Sequence, residues 1–276
     1  MVTKTITHFD IAQICQSGQC FRMEKKEYAE NRYRIIASDR YLELEQDGKT
    51  CIFYCEQDEF EHFWKQYFDL EIGYESYCAA VDSEDKYLNN AVNFGSGIRI
   101  LRQDLWEMIV SFLISQQNNI TRIRKCIKNI CETYGEKRMN SQGETYYAFP
   151  KPEALAWLDE DALKACNLGY RSKYVVRTAR AVADGTLDLT ELEKMSYPEA
   201  KKELLKLYGV GVKVADCICL FGLHHLEAFP VDTHINQAMQ KYYPNGFPGE
   251  LYRGFEGVIQ QYIFYYELFG EKVEVL

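Results

Sequence analysis

Apolar residues change their spacing near Gly95-Ser96-Gly97, and this change divides the chain into two kinds of structure. Before it, Tyr33 to Ala37, Tyr41 to Glu45 with apolar and acidic residues alternating, and Cys51 to Tyr54 after Asp47-Gly48 predict antiparallel strands joined by tight turns. Stretches 59–67 and 76–93 read as helical. After it, three- and four-residue steps predict helices at 105–114, 120–134, 152–158, 161–167, 173–184, 189–195, 198–207, 212–223, 233–242 and 255–269. The expected class is α+β, with an N-terminal antiparallel sheet domain over 1–97 and a mainly α-helical domain over 98–276.

Composition sets outer limits. With 276 residues, 47% of them hydrophobic and 26% charged, the chain can bury a sizeable core and is neither disordered nor fibrous. Its longest apolar stretches, Leu105 to Ser115 and Val214 to Leu223, are too short for a bilayer and are interrupted by Glu107 or Asp216, so no membrane span is expected. The first ten residues lack the apolar core of a secretory signal. The ten cysteines are therefore expected to be reduced, in a cytoplasmic compartment. No C-x-x-C pair occurs and no cysteine follows Cys219, which argues against a zinc ribbon or a C-terminal iron–sulfur cluster. The chain is expected to need no metal or cofactor.

The balance of 32 Lys and Arg against 41 Asp and Glu gives a net charge of −9, which alone argues against a polyanionic partner. Local distribution argues otherwise. Between Ile120 and Arg138 six basic residues (Arg122, Arg124, Lys125, Lys128, Lys137, Arg138) stand against Glu132 and Glu136. From Leu163 to Ala181, Lys164, Arg171, Lys173, Arg177 and Arg180 meet no acidic residue. Solvated helix faces would give the same runs.

The most informative stretch is Pro198 to Ile235, PEAKKELLKLYGVGVKVADCICLFGLHHLEAFPVDTHI. It reads as a helix, a tight turn at Leu207 to Gly211, a second helix, a short loop, and Val231-Asp232-Thr233-His234 opening a third. Gly209 and Gly211 free the backbone between helices to approach a ligand and to point amide N–H groups outward, where they could hold a DNA phosphate. Plain helix termination is the other reading of such glycines. Lys213 falls in the first turn of the second helix, where the positive helix end and burial favour the neutral amine that nucleophilic attack requires. A solvated surface lysine fits the same position. Asp232 directly precedes a helix, where N-capping would account for it.

This stretch resembles the helix-hairpin-helix plus Gly/Pro-Asp signature of the base-excision DNA glycosylases, and within them the 8-oxoguanine DNA glycosylase and abasic-site lyase family. Ser17 to Arg22 (SGQCFR), Gly97 to Asp104 (GIRILRQD), Phe112 to Ile123 (FLISQQNNITRI), Leu168 to Val175 (LGYRSKYV), Val210 to Leu220 and Gly257 to Leu268 resemble that family's segments in the same order, over nearly the whole chain. The resemblance implies a sheet domain of the TATA-binding-protein-like type packed on the helical glycosylase domain, with the helix at 255–269 completing the base pocket.

It also implies roles. Lys213 would be the nucleophile at the sugar C1′, and Asp232 the carboxylate stabilising positive charge there. Phe264 and Cys217 would sandwich the flipped base, Gln260 would bond its Watson–Crick edge, and the Gly18 carbonyl would accept from the N7–H that distinguishes 8-oxoguanine from guanine. Arg122 and Arg171 would read the orphaned cytosine, Tyr170 would wedge into the stack, and Gln117 and Asn118 would belong to the loop at the partner base. Gly209, Gly211 and His234 would meet phosphates. Core packing, turn formation and capping explain the same residues without the resemblance. Two departures stand out: Gln117 where the family usually has Asn, and Tyr208 where the hairpin often has Pro.

The expected function is excision of 8-oxoguanine from double-stranded DNA, opposite cytosine, by a monomer that also nicks the strand. A glycosylase of alkylated or oxidised purines using water activated by Asp232 is the enzymatic alternative, and Lys213 argues against it. A hairpin module that only binds DNA is the non-enzymatic one. The absence of a dense Lys/Arg localisation run favours a bacterial or archaeal cytoplasm.

Overall fold

The computed structural model describes residues 1–27 and 29–270. Its N-terminal part is an antiparallel sheet of β1 (Val2–Thr5), β2 (Met23–Lys25), β3 (Arg32–Ala37), β4 (Arg40–Asp47) and β5 (Thr50–Phe53), in the order β1-β5-β4-β3-β2. The expected alternation is present: Tyr33, Ile35 and Ala37 face inward from β3, with Leu42, Leu44 and Phe53 from the neighbouring strands. Asp47 pairs with Thr50, leaving Gly48 and Lys49 as the hairpin loop, and Gly48 supplies the left-handed φ of +55° that such a loop needs. Helix α1 (Ile11–Gln16) precedes β2, capped by the Asp10 side chain on Gln13 N–H.

A helical stretch, α2 (Gln57–Glu59) and α3 (Lys65–Tyr67) joined by a π-helical turn at Phe60–Trp64, covers the sheet. Phe60, Trp64, Tyr67 and Phe68 are all buried from it.

The helical part follows as α4 (Glu75–Ala79), α5 (Lys86–Gly95), α6 (Leu105–Ser115), α7 (Ile120–Tyr134), the β6 (Lys137–Met139) and β7 (Thr145–Tyr147) hairpin, α8 (Pro152–Ala156), α9 (Ser172–Ala183), α10 (Leu189–Leu192), α11 (Tyr197–Leu204), α12 (Val212–Phe221), α13 (Thr233–Tyr242) and α14 (Glu256–Phe269). Every residue of α6 from Leu105 to Ile114 is buried, so this helix is the axle against which α7, α9 and α12 pack.

Three expectations are corrected. The helix expected over 76–93 is two, because the Asp85 side chain accepts from Leu88 N–H and starts α5 afresh after an acidic turn. The helix expected over 161–167 is a 3₁₀ turn, Ala162–Cys166, closed by Asn167 in the left-handed region at φ +68°. The helix expected over 189–195 ends at Leu192.

The two apolar cores meet along a polar seam. Gln19 donates to Arg99 O at 2.9 Å and accepts from Leu101 N–H at 2.8 Å, while Gln103 donates to Gln19 O. The Arg22 guanidinium pairs with Glu107 at 3.0 Å and also reaches the Ser38 and Tyr147 carbonyls, tying sheet, α6 and the β6–β7 hairpin together. Burial pushes the Glu107 carboxyl up from 4.5 to about 7, against the pull of Arg22. Between those values the folded chain holds a proton that the unfolded chain has released, so this group's contribution to stability falls as pH rises through the window. Glu107→Gln should flatten that slope, by about 1–3 kcal/mol across it, whatever the loss from leaving Arg22 without a carboxylate. Denaturant melts of both proteins at several pH values check this. Parallel pH profiles would refute it.

Candidate active site and nucleic-acid interface

The sequence from Tyr197 to Phe221 folds as helix, turn, helix because Ser196 and Glu199 form a capping box at the start of α11 and two glycines allow the reversal before α12. Gly209 sits at φ +90°, and a Cβ there would lie 2.6 to 2.8 Å from ring atoms of Tyr174 on α9. Gly211 is the N-cap of α12, has no side chain to accept from the first-turn N–H groups, and has open space where a Cβ would project. A partly buried cluster locks the two helices: the buried Asp216 on α12 accepts from the Tyr197 hydroxyl at 2.7 Å and pairs with Lys201 at 2.7 Å. The sequence signal for this clamp was the one acidic residue inside the apolar run of α12.

These environments separate two otherwise similar substitutions. Gly209→Ala should cost about 1–3 kcal/mol of stability through backbone strain and the collision with Tyr174. Gly211→Ala should leave the melting temperature nearly unchanged and weaken duplex binding, because its methyl stands where a phosphate would approach. Thermal melts and binding titrations of both variants decide it, and a destabilised Gly211→Ala protein would contradict this account.

Lys213 lies in the first turn of α12, partly buried, with its amine 5.7 Å from the centre of the Phe112 ring. One turn on, Cys217 is buried; desolvation raises its thiol, and both the Lys213 cation, which also hydrogen-bonds it, and the Asp232 carboxylate act on it electrostatically. Asp232 caps α13, accepting from Ile235 N–H at 2.9 Å. Lys213 and Asp232 therefore both act on Cys217, one from the first turn of α12 and the other from the cap of α13.

Helix α14 contributes Gln260 and Phe264. Gln260 is buried and donates to Pro230 O at 3.0 Å, two residues before Asp232, while its own carbonyl accepts from Gln261. Phe264 lies against the Gly18 loop: Gly18 has φ +76°, and a Cβ there would come within 3.1 Å of the Phe264 ring. The His234 ring, exposed on α13, stands edge-on to Phe264 at 6.1 Å between centroids. The chain thus gathers Gly18, Phe264, His234, Gln260, Asp232, Cys217 and Lys213 from four separate stretches.

Beside this lies the loop between α6 and α7. Gln117 is exposed at φ +47°, a left-handed conformation uncommon for a residue with a side chain. The Tyr170 hydroxyl donates to its Oε1 at 3.4 Å. Asn118 donates to Ile114 O at 3.1 Å, closing α6, and Asn119 caps α7 through Arg122 N–H. The Arg122 side chain is exposed. Arg171 is not: it is 3% exposed, donates to the Gln116 carbonyl, to Gln117 O at 2.9 Å and to Leu168 O, and stacks on Tyr170 at 4.5 Å. In this structure it shapes the loop from beneath. Sequence reasoning missed this and the packing of Tyr174 on Gly209, since both are contacts between distant segments that no periodicity announces.

The chain is similar to known proteins along most of its length. Residues 1–109 match the family model of the 8-oxoguanine DNA glycosylase N-terminal domain, and residues 110–250 that of the HhH-GPD superfamily base excision DNA repair protein. The N-glycosylase/DNA lyase of Saccharomyces cerevisiae is 32% identical over 257 residues, which cover 84% of this chain and 68% of the yeast protein. The Clostridium acetobutylicum 8-oxoguanine glycosylase/lyase, solved with double-stranded DNA containing cytosine opposite 8-oxoG, is 37% identical, with a TM-score of 0.87 over 94% of this chain and 91% of that one. A Bacillus subtilis DNA-3-methyladenine glycosylase is 30% identical over 138 residues, covering only 49% of this chain and 45% of its own length. Among the described residues no helix is long and apolar enough to cross a membrane. With both of its halves matched in order, the chain belongs to the 8-oxoguanine DNA glycosylase family, the N-glycosylase/DNA lyases of base excision DNA repair.

Proposed function

We propose that the chain removes 8-oxoguanine from duplex DNA through a covalent Lys213 intermediate and then cleaves the strand. This reading is supported by Lys213 in the first turn of α12 and Asp232 at the cap of α13 both acting on the buried Cys217, with Phe264 lying against Gly18. The extruded nucleotide places its base between Phe264 and Cys217. The Gly18 carbonyl accepts from N7–H of 8-oxoguanine and faces a lone pair in guanine, while Gln260 keeps one N–H and one lone pair for the base edge. The neutral Lys213 amine attacks C1′, the C1′–N9 bond breaks, and its electron pair leaves with the base, which takes up a proton. Asp232 stabilises the positive charge that develops at the sugar. Loss of a proton from nitrogen and ring opening give an imine. Removal of a C2′ proton then expels the 3′ phosphate by β-elimination, and water releases the amine.

Arg122, Gln117 and Tyr170 meet the gap and the partner base, with Arg171 holding their loop from below and contributing to the reading of cytosine when its bonds to the loop exchange. The enzyme acts as a monomer, in the compartment that holds the DNA. Its test is base release and strand scission from duplexes carrying 8-oxoguanine opposite each of the four bases. Release and nicking fastest opposite cytosine are expected. Release without nicking or a trappable adduct would favour the water-using glycosylase, and no release would leave a DNA-binding module.

A further inference from the structure

A cleft of about 620 Å³ opens between β2, β3, α7 and β7, and none of its lining residues belongs to the Lys213 and Asp232 site. Arg22, Arg34, Arg124, Lys125 and Lys128 line it against Glu24 and Glu132, so a chain of net charge −9 concentrates positive charge there. Some of that charge is already matched. Arg22 is paired with Glu107 and Arg34 with Glu24, and Lys128 lies 3.8 Å from Glu132 in an exposed pair of the kind that contributes little. Lys125 is exposed and has no ion pair among the described residues. Arg124 donates to Cys15 O at 2.7 Å, while its buried Nε has no hydrogen-bond partner among them. Tyr146 and Tyr147 form part of the opposite wall.

The position of this charge matters more than its amount. Arg122, Lys125 and Lys128 recur at three-residue steps on α7 and are all exposed, so they form one stripe running from the loop at the partner base into the cleft. From Arg122 to Lys128 the helix rises about 9 Å, the axial span of roughly two to three phosphates on one DNA strand. Arg124 in turn fixes the carbonyl of Cys15, three residues before Gly18, so the cleft is anchored to the loop that receives the damaged base.

We infer that this cleft is a docking site for the phosphate backbone of the undamaged strand, beyond the partner base. The inference rests on the DNA-binding reading above, because the strand assignment follows from placing Arg122 at the orphaned base. Lys125 and Lys128 supply the contacts, and Arg124 keeps the stripe in register with the base pocket. An acidic protein gains by this a strand-specific grip without a basic surface overall.

The test uses the full chain and a duplex that carries an uncleavable abasic-site analogue opposite cytosine and extends a full helical turn on each side. Phosphates flanking the lesion are replaced by neutral methylphosphonates, on the undamaged strand or on the damaged one. Wild type and Lys125→Gln/Lys128→Gln are titrated at several salt concentrations. Neutralising the undamaged strand should weaken wild type and leave the double variant, already weaker, unchanged. The salt slope of the variant should be smaller by about two, one for each lost phosphate contact. Wild-type affinity and slope in the variant, an equal loss from neutralisation in both proteins, or a loss confined to the damaged strand would each overturn the proposal. Failure of wild type to bind any duplex would remove this proposal together with the DNA-binding reading. Strand-specific binding without base release would remove only the catalytic one.

Discussion

Lys213→Gln should form no borohydride-trapped adduct with a duplex containing 8-oxoguanine, under conditions where wild type is trapped in high yield. The argument is chemical. An imine needs a primary amine that can lose its proton and attack carbon, and a carboxamide nitrogen has its lone pair delocalised into the carbonyl. Glutamine keeps the first part of the lysine stem and loses only the ammonium over Phe112, so the start of α12 should change little. Loss of the nucleophile should also lower base release by on the order of a thousandfold or more, since groups acting as one catalytic unit fail together. Single-turnover kinetics and trapping on the same samples check both parts. A trapped adduct in Lys213→Gln would assign the nucleophile to another amine.

Asp232→Asn should separate capping from catalysis. Asparagine caps a helix about as well as aspartate, and its Oδ1 can still accept from Ile235 N–H, so thermal stability should shift by no more than a few tenths of a kcal/mol. The negative charge is gone, and with it the stabilisation of the sugar cation that the proposed mechanism assigns to Asp232. Base release should fall by roughly 10²–10³-fold, the usual cost of one well-placed electrostatic partner. Trapping of Lys213 on a pre-formed abasic site should fall less, because no base then has to leave. Equal losses on both substrates would move Asp232 from the departure of the base to the later proton transfers.

Much of this molecule was readable from residue order, and the exceptions follow a pattern. The meander of β3, β4 and β5 and the long helices α6, α7, α12 and α14 declare themselves because each repeats an apolar position often enough for periodicity to emerge. The short β1 and β2 strands, and the β6–β7 hairpin of three-residue strands, are too brief to show a period. Phe60 to Trp64 carry a helix-like pattern, but nothing local reveals the π-helical turn. In the candidate site, the positions of Lys213 in the first turn of α12 and of Asp232 as the cap of α13 were legible from the glycine turn and from an aspartate before a helix, while the roles proposed for them came from the resemblance alone. Arg171 was harder, since a basic residue before a helix says nothing of the carbonyls of Gln116 and Gln117 that it supports from 54 or more positions away. Tyr174, Asp216 and Arg22 likewise work through partners distant in the chain.

The amide of Gln260 has a consequence for how a base would be inspected. It is buried and tied at both ends, to Pro230 on the loop that carries Asp232 and to its neighbour Gln261. Its rotamer is therefore settled before any ligand arrives, and the cost of ordering it was met during folding. A probe of this kind does not adapt. Under the proposed reading, a base with the wrong edge would meet a fixed donor and acceptor in a dry setting and leave one of them unsatisfied, so rejection would come from rigidity, in a side chain tied to the loop that carries Asp232.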